Sequence, residues 1–296
     1  MSDRISELSD DLLCKILCYL PNTKHAATTF FLSKRWKSVW LKLPSLDFDD
    51  EDYINHIITP VPMNDKTNYT SRFAQFVDGV LSLDQPIIQR FRLKCKITKP
   101  RPCDFTRWIS TAIQRDVEEL DISLFSLGRG TTLPTDVFTY TKLVVLKLRG
   151  VIIQDTIDSV CLPSLRILSL KGVGFSSEDC VIKLLSCSRT TLENVLFSGI
   201  SNIWPKYLHV APADTPSFHN LITLNISLVS VINWEHVLMR LIQNSPKLQN
   251  LSIEKGENWV PVLLRPGCAE ERRLRPGSDD LGDALPPESP PVDQGG

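Results

Sequence analysis

The chain carries almost no net charge: 33 lysines and arginines stand against 34 acids, leaving −1 at pH 7. No global field draws it to nucleic acid or an anionic membrane, so charge must act through local patches. No apolar run approaches the roughly 18 residues that a membrane span needs. Met1-Ser2-Asp3-Arg4 lacks the basic-then-apolar layout of a secretory leader. The eight cysteines form no CxxC pair and no zinc spacing, and several fall inside apolar segments, as reduced thiols do. These absences predict an intracellular protein, nuclear and/or cytoplasmic. HExxH, GxSxG, Walker and GxGxxG signatures are missing, and the five histidines are scattered. No catalytic residue, metal or cofactor is therefore expected. What remains is an ordinary globular composition, 42% apolar and 23% charged, over 296 residues. That length predicts two or three folded units.

Residues 5–41 read as three short helices. Ser9 suits an N-cap, with Asp10 and Asp11 in the first turn, where acids complement the helix dipole. Leu8, Leu12, Ile16 and Leu20 recur every four residues, with Leu13 and Leu17 beside them, which makes a wide apolar stripe. Pro21 stops the helix. Asn22 or Thr23 can cap a second helix, and Ser33 a third, in which Trp36 and Trp40 share a face. A unit of about 40 residues buries too little of this surface by itself. The helices either dock on a partner or pack on the rest of the chain, and periodicity leaves both open.

The run from Asp3 to Pro21, Asp-Arg-Ile-Ser-Glu-Leu-Ser-Asp-Asp-Leu-Leu-Cys-Lys-Ile-Leu-Cys-Tyr-Leu-Pro, is followed by Leu32-Ser-Lys-Arg-Trp-Lys-Ser-Val-Trp40. Together they resemble the F-box of the plant F-box/FBD/leucine-rich-repeat family. That resemblance implies a module that binds the Skp-type adaptor, and through it a cullin, in an SCF-type ubiquitin ligase. It also implies that Leu8, Leu12, Leu13, Ile16, Leu17 and Trp36, with Leu20 and Trp40 beside them, make up the module's core and adaptor face. Ser9 stands where the family usually has proline, and serine starts a helix equally well.

Behind this module, Asp47-Phe-Asp-Asp-Glu-Asp52 reads as a solvated acidic loop, and Tyr69 to about Leu83 has helical spacing. A pattern of apolar, two residues, apolar, one residue, apolar then recurs. It runs through Ile88-Phe91-Leu93, Val117-Leu120-Ile122, Leu143-Leu146-Leu148, Leu165-Leu168-Leu170, Leu192-Val195-Phe197, Leu221-Leu224-Ile226 and Leu248-Leu251-Ile253. The middle positions lie 29, 26, 22, 27, 29 and 27 residues apart, the spacing of leucine-rich repeats. A doubly wound sheet would need longer helices and a glycine-rich phosphate turn. The segment Leu162-Pro-Ser-Leu-Arg-Ile-Leu-Ser-Leu-Lys-Gly-Val-Gly-Phe175 also resembles repeats of the same plant family, and the resemblance runs from about residue 3 to about residue 257.

Two apolar positions spaced by two lie on one strand face, so the residues between them point to the concave side. That face reads basic (Arg90, Arg92, Lys94), acidic (Glu119, Asp121), basic (Lys147, Arg149, Lys171), then neutral-polar (Asn194, Asn225, Asn250). Lys147, Arg149, Lys171, Asn194, Asn225 and Asn250 are the candidate substrate-binding residues, the three cations suiting a partner's acidic segment. Residues 265–296, with six prolines, seven acids and almost no aliphatics, predict disorder. They stand where the family continues into an FBD region, so the last repeat is expected to lack its cap.

The expected architecture is α/β. An F-box spans 1–46, a linker and helical lead-in 47–85, a solenoid of leucine-rich repeats with a curved parallel sheet 86–257, and a divergent, disordered tail 258–296. The expected function is a non-catalytic substrate receptor of an SCF-type ligase, holding a protein substrate on the concave face. The other reading is a stand-alone repeat protein whose N-terminal helices only cap the solenoid. Neither calls for nucleic acid or membrane.

Overall fold

A computed structural model of the chain describes residues 4–5, 7–51, 66–84, 87–96, 101–125, 131–154, 160–175, 178–199, 217–228, 241–255 and 258–263. Helix α1 covers Asp10–Cys18, α2 Thr23–Thr29 and α3 Lys34–Trp40. The expected caps start all three. Ser9, Asn22 and Ser33 side-chain oxygens accept hydrogen bonds from the amides of Leu12, His25 and Trp36. Each satisfies one amide that the first turn leaves without an intrahelical partner. Asp10 then ties α1 to α3, accepting from Arg35 Nε at 3.0 Å and Lys42 Nζ at 3.2 Å. Arg35 also donates to the Leu8 carbonyl.

The seven repeat patterns all become strands of one sheet: β2 Arg90–Cys95, β3 Glu119–Leu124, β5 Val145–Arg149, β7 Ile167–Lys171, β9 Asn194–Ser198, β10 Thr223–Leu228 and β11 Asn250–Lys255. They stack in parallel, in the order β2-β3-β5-β7-β9-β10-β11. The apolar pairs do point inward: Phe91, Leu93, Leu120, Ile122, Leu168 and Leu170 are each fully buried. Helix α4 (Lys66–Leu81) lays Phe73, Val77, Val80 and Leu81 into the same core. Helix α5 (Pro102–Gln114) adds Phe105, Trp108, Ile109 and Ala112. The Trp108 indole donates to Asp78 Oδ1 at 2.6 Å, so its polar edge is satisfied. Helices α6 (Asp136–Thr139) and α7 (Glu178–Cys187) lie in later return segments, and residues 241–243 are helical before β11.

Glycines make the corners. Gly150, Gly172 and Gly199 follow β5, β7 and β9 with φ of +67°, +56° and +61°, a region that penalises any side chain. Their amides bond across to the next repeat, to the carbonyls of Lys171, Ser198 and Ser227. The first two corners turn the chain into β6 (Val151–Ile153) and β8 (Gly174–Phe175), which join β4 (Thr131–Thr132) in a second, three-stranded sheet.

Two segments depart from expectation. The acidic run expected as a solvated loop instead enters the sheet: Ser45–Asp49 forms β1, paired in parallel with β2, while Asp52 lies outside the described residues. Leu46 and Phe48 are buried there, because Leu43-x-x-Leu46-x-Phe48 repeats the inward pattern of the later strands. At the other end, Asn258–Leu263 forms β12, antiparallel to β11, within the stretch assigned to the divergent tail. The unpaired β11 edge offers a row of backbone donors and acceptors, and a β-prone neighbour supplies the partner. The edge expected to be open is therefore covered, and Pro261 stands on the outermost strand, where a missing N–H is tolerated. The disorder expected from 265 onward lies outside the described residues.

Candidate binding surfaces

The first surface lies on the N-terminal helices. One side of α1 faces inward: Leu13 and Leu17 are buried, and so is Trp40 on α3, packed edge-on against Phe30 with centroids 5.8 Å apart. Leu8, Leu20 and Trp36 are half-buried against that core. The opposite side stays open. Leu12 is 47% and Ile16 43% exposed, although both are apolar. Tyr19, at 89%, continues the same face one turn on, at the i, i+4, i+7 spacing. Phe31 and Leu32, after α2, are exposed at 86% and 66%. Large apolar side chains left uncovered on so small a module mark an interaction surface. Of the eight residues tied to the adaptor, three (Leu13, Leu17, Trp40) thus hold the module together, two (Leu12, Ile16) are open, and three (Leu8, Leu20, Trp36) lie between.

This module is joined to the repeats without a gap. Helix α2 packs on β1, and the Thr23 hydroxyl accepts from the Asp47 amide at 2.6 Å. Beyond it, the open face of the sheet begins with an ion-pair lattice. Arg92 reaches Asp47 at 2.8 Å, Lys94 reaches Asp49 at 2.8 Å and Glu51 at 2.6 Å, and Arg90 grips Glu119 at 2.7 and 3.1 Å. Asp50, buried, accepts from the Lys96 amide. Hydrogen bonds from Lys94 and Lys96 hold the Glu51 carboxyl below its ordinary range, and Arg90 does the same for Glu119. Burial pushes Asp47 above its range in spite of Arg92. Asp121 moves the same way, also by burial. Charge on β1–β3 is thus largely neutralised within the sheet.

The next charges are different. Lys147, Arg149 and Lys171 are exposed and, among the described residues, make no ion pair within 4.0 Å. Lys147 stands beside Asp121 in register, and the Arg149 guanidinium lies over the Phe125 ring at 4.5 Å. Asn194 and Asn225 are half-buried and Asn250 is exposed, all three on the open face. A groove of about 480 Å³ runs over β7–β11, lined by Lys171, Leu196, Ser198, Asn225, Ser227 and Glu254 among others.

The comparisons agree with this layout. Residues 105–211 match a family model described as FBD-associated F-box protein At5g56370, LRR repeats. An F-box protein of Arabidopsis thaliana is 35% identical over 304 residues, covering 94% of this chain and 59% of the relative. An F-box/FBD/LRR-repeat protein from the same plant is 34% identical over 256 residues, covering 85% and 51%. An FBD-associated F-box protein is 32% identical over 265 residues, covering 85% and 61%. The chain is similar to members of the plant F-box/FBD/leucine-rich-repeat family. It spans between half and two thirds of the length of these relatives.

In this F-box/LRR chain, the residues that sequence reasoning missed are the β1 acids and the outer aromatics Tyr19 and Phe31. The signal for β1 was present in Leu43-x-x-Leu46-x-Phe48, but Leu46 precedes Phe91 by far more than one repeat length. Exposure of Tyr19 and Phe31 depends on which side of the helices the sheet covers, and no local pattern encodes that.

Proposed function

We propose that this chain is the substrate-recognition subunit of an SCF-type ubiquitin ligase. The F-box helices bind a Skp-type adaptor, and through it a cullin, and the open face of the repeats holds a protein substrate. The observation that carries this reading is the uncovered apolar face of α1, Leu12, Ile16 and Tyr19, on a module whose other side is already satisfied internally. A helix that only capped the solenoid has no need of it. The chain itself is non-catalytic and needs no cofactor in this reading. Ligase chemistry resides in partner subunits, and the receptor supplies proximity by raising the substrate's effective concentration. It works inside the cell, in nucleus and/or cytoplasm.

On the open face, Lys147, Arg149 and Lys171 are the cations available to an acidic segment of the substrate, with Asn194, Asn225 and Asn250 as hydrogen-bonding neighbours. The second reading, a stand-alone repeat protein, draws support from α2 packing on β1, as a cap would. Capture of a purified Skp-type adaptor separates the two. Wild type binds, Leu12→Asp with Ile16→Asp does not, and the double variant keeps the wild-type melting temperature because both positions are exposed. A folded wild-type chain that captures no adaptor would establish the stand-alone reading.

A further inference from the structure

Strand register places five side chains of the open face in one straight row. Arg149 pairs with Lys171, Lys171 with Ser198, Ser198 with Ser227, and Ser227 with Glu254. Across neighbouring strands the order is therefore cation, cation, hydroxyl, hydroxyl, carboxylate. The groove of about 480 Å³ follows this row from Lys171 to Glu254. Among the described residues neither end is in an ion pair within 4.0 Å, in contrast to the closed lattice on β1–β3. Among the described residues, Glu254 is the one acid that lines this groove.

We propose that this row seats an extended, dipolar protein segment lying across the strands, with an acidic side chain at Arg149 and Lys171 and a lysine or arginine at Glu254. The proposal deepens the substrate-receptor reading and rests on it. Strands lie about 4.8 Å apart, so the three steps from Lys171 to Glu254 span roughly 14 Å. An extended segment advances about 3.3 Å per residue, which puts the two charges about four residues apart. The hydroxyls of Ser198 and Ser227 can each donate or accept, which suits the peptide groups of the intervening residues. Leu196, in the next row, adds one apolar contact. A purely acidic segment satisfies the cations but places nothing on Glu254.

The test uses the full chain and four fluorescently labelled peptides, each flanked by Gly-Ser: Asp-Ser-Thr-Ser-Arg, Asp-Ser-Thr-Ser-Gln, Gln-Ser-Thr-Ser-Arg and Asp-Ser-Thr-Ser-Asp. Binding is read by fluorescence polarisation at low salt. The dipolar peptide binds tightest to wild type, and neutralising either end weakens it by up to about fivefold, the range of exposed ion pairs. Glu254→Lys, at unchanged melting temperature, reverses the order so that the diacidic peptide binds best. Equal binding of the dipolar and acid-only peptides, an unchanged order in Glu254→Lys, or no binding of any peptide overturns the proposal. Adaptor capture on the same preparations reports the ligase reading separately. Lost peptide discrimination with intact adaptor capture removes only the dipolar seat. Intact discrimination without adaptor capture removes the ligase role and leaves the seat standing.

Discussion

Replacing each corner glycine with alanine separates two costs that usually arrive together. At Gly172 a Cβ meets nothing within 4 Å, so Gly172→Ala incurs only the penalty of the left-handed region at φ +56°. That penalty is about 1–2 kcal/mol, partly offset by the lower unfolded-state entropy of alanine, for a net of about 1 kcal/mol. At Gly150 the same φ penalty applies, but a Cβ would lie 1.8 Å from the Leu124 carbonyl oxygen. That neighbour is backbone and cannot rotate away. Relief requires the corner to move by about 1 Å from the end of β3. Such a shift strains the bonds from the Gly150 amide to Lys171 and from the Phe125 amide to Cys95, now 3.1 and 3.0 Å. Each is worth about 0.5–1.5 kcal/mol, and more if a buried group is left unpaired. Gly150→Ala should therefore cost about 3–4 kcal/mol. At roughly 2–4 °C per kcal/mol for a chain of this size, the melting temperature falls by about 10 °C, against about 3 °C for Gly172→Ala. Gly199→Ala, with its nearest contact at 3.6 Å, should resemble Gly172→Ala. Differential scanning calorimetry of the three variants decides the matter. Equal losses at Gly150 and Gly172 would refute the claim that the corner is held against Leu124.

Electrostatics at the junction supplies further expectations. Asp47 has a raised pKa from burial, so its ionisation costs stability as the pH rises through the carboxylate range. Asp47→Asn should therefore melt at or above wild type at pH 7, whereas Arg92→Met, which strips a half-buried carboxylate of its partner, should melt lower. The opposite ranking in a thermal-shift assay would mean that Arg92 more than offsets the burial. Glu51 and Glu119 have lowered pKa values from their basic partners, and on α5 Asp104 is lowered in the same way by Arg101 at 2.8 Å and Arg107 at 3.3 Å. Their contribution is complete above the unfolded carboxylate pKa and is lost as the pH falls through the lowered folded values. No decline in melting temperature from pH 7 to 5 and a fall only in the acid range below the unfolded carboxylate pKa are expected, and a decline beginning near pH 6 would contradict them. Reversing Lys147, Arg149 and Lys171 to glutamate should abolish substrate capture and leave adaptor capture intact, and unchanged capture would remove these cations from the binding surface.

Much of the fold was legible in the residues. The inward positions of seven strands, the caps Ser9 and Ser33 with a second cap at Asn22 or Thr23, and the helical spacing from Tyr69 to about Leu83 all follow from local chemistry acting over a few residues. Periodicity says which face is apolar, and short polar side chains before it say where a helix begins. The rest depends on what comes to lie beside what. Leu12 and Leu13 are adjacent and chemically identical, yet one is open and the other buried, because α3 packs on only one side of α1. The first basic strand looked as available as the second, but β1 brings Asp47 and Asp49 against Arg92 and Lys94 from 45 residues away. The sequence by itself determined the seven repeat strands, their inward faces and the inventory of charges, since these are set by near neighbours. Only tertiary structure decided which charges are cancelled and which apolar side chains remain uncovered, since both depend on pairing between strands and helices far apart in the chain.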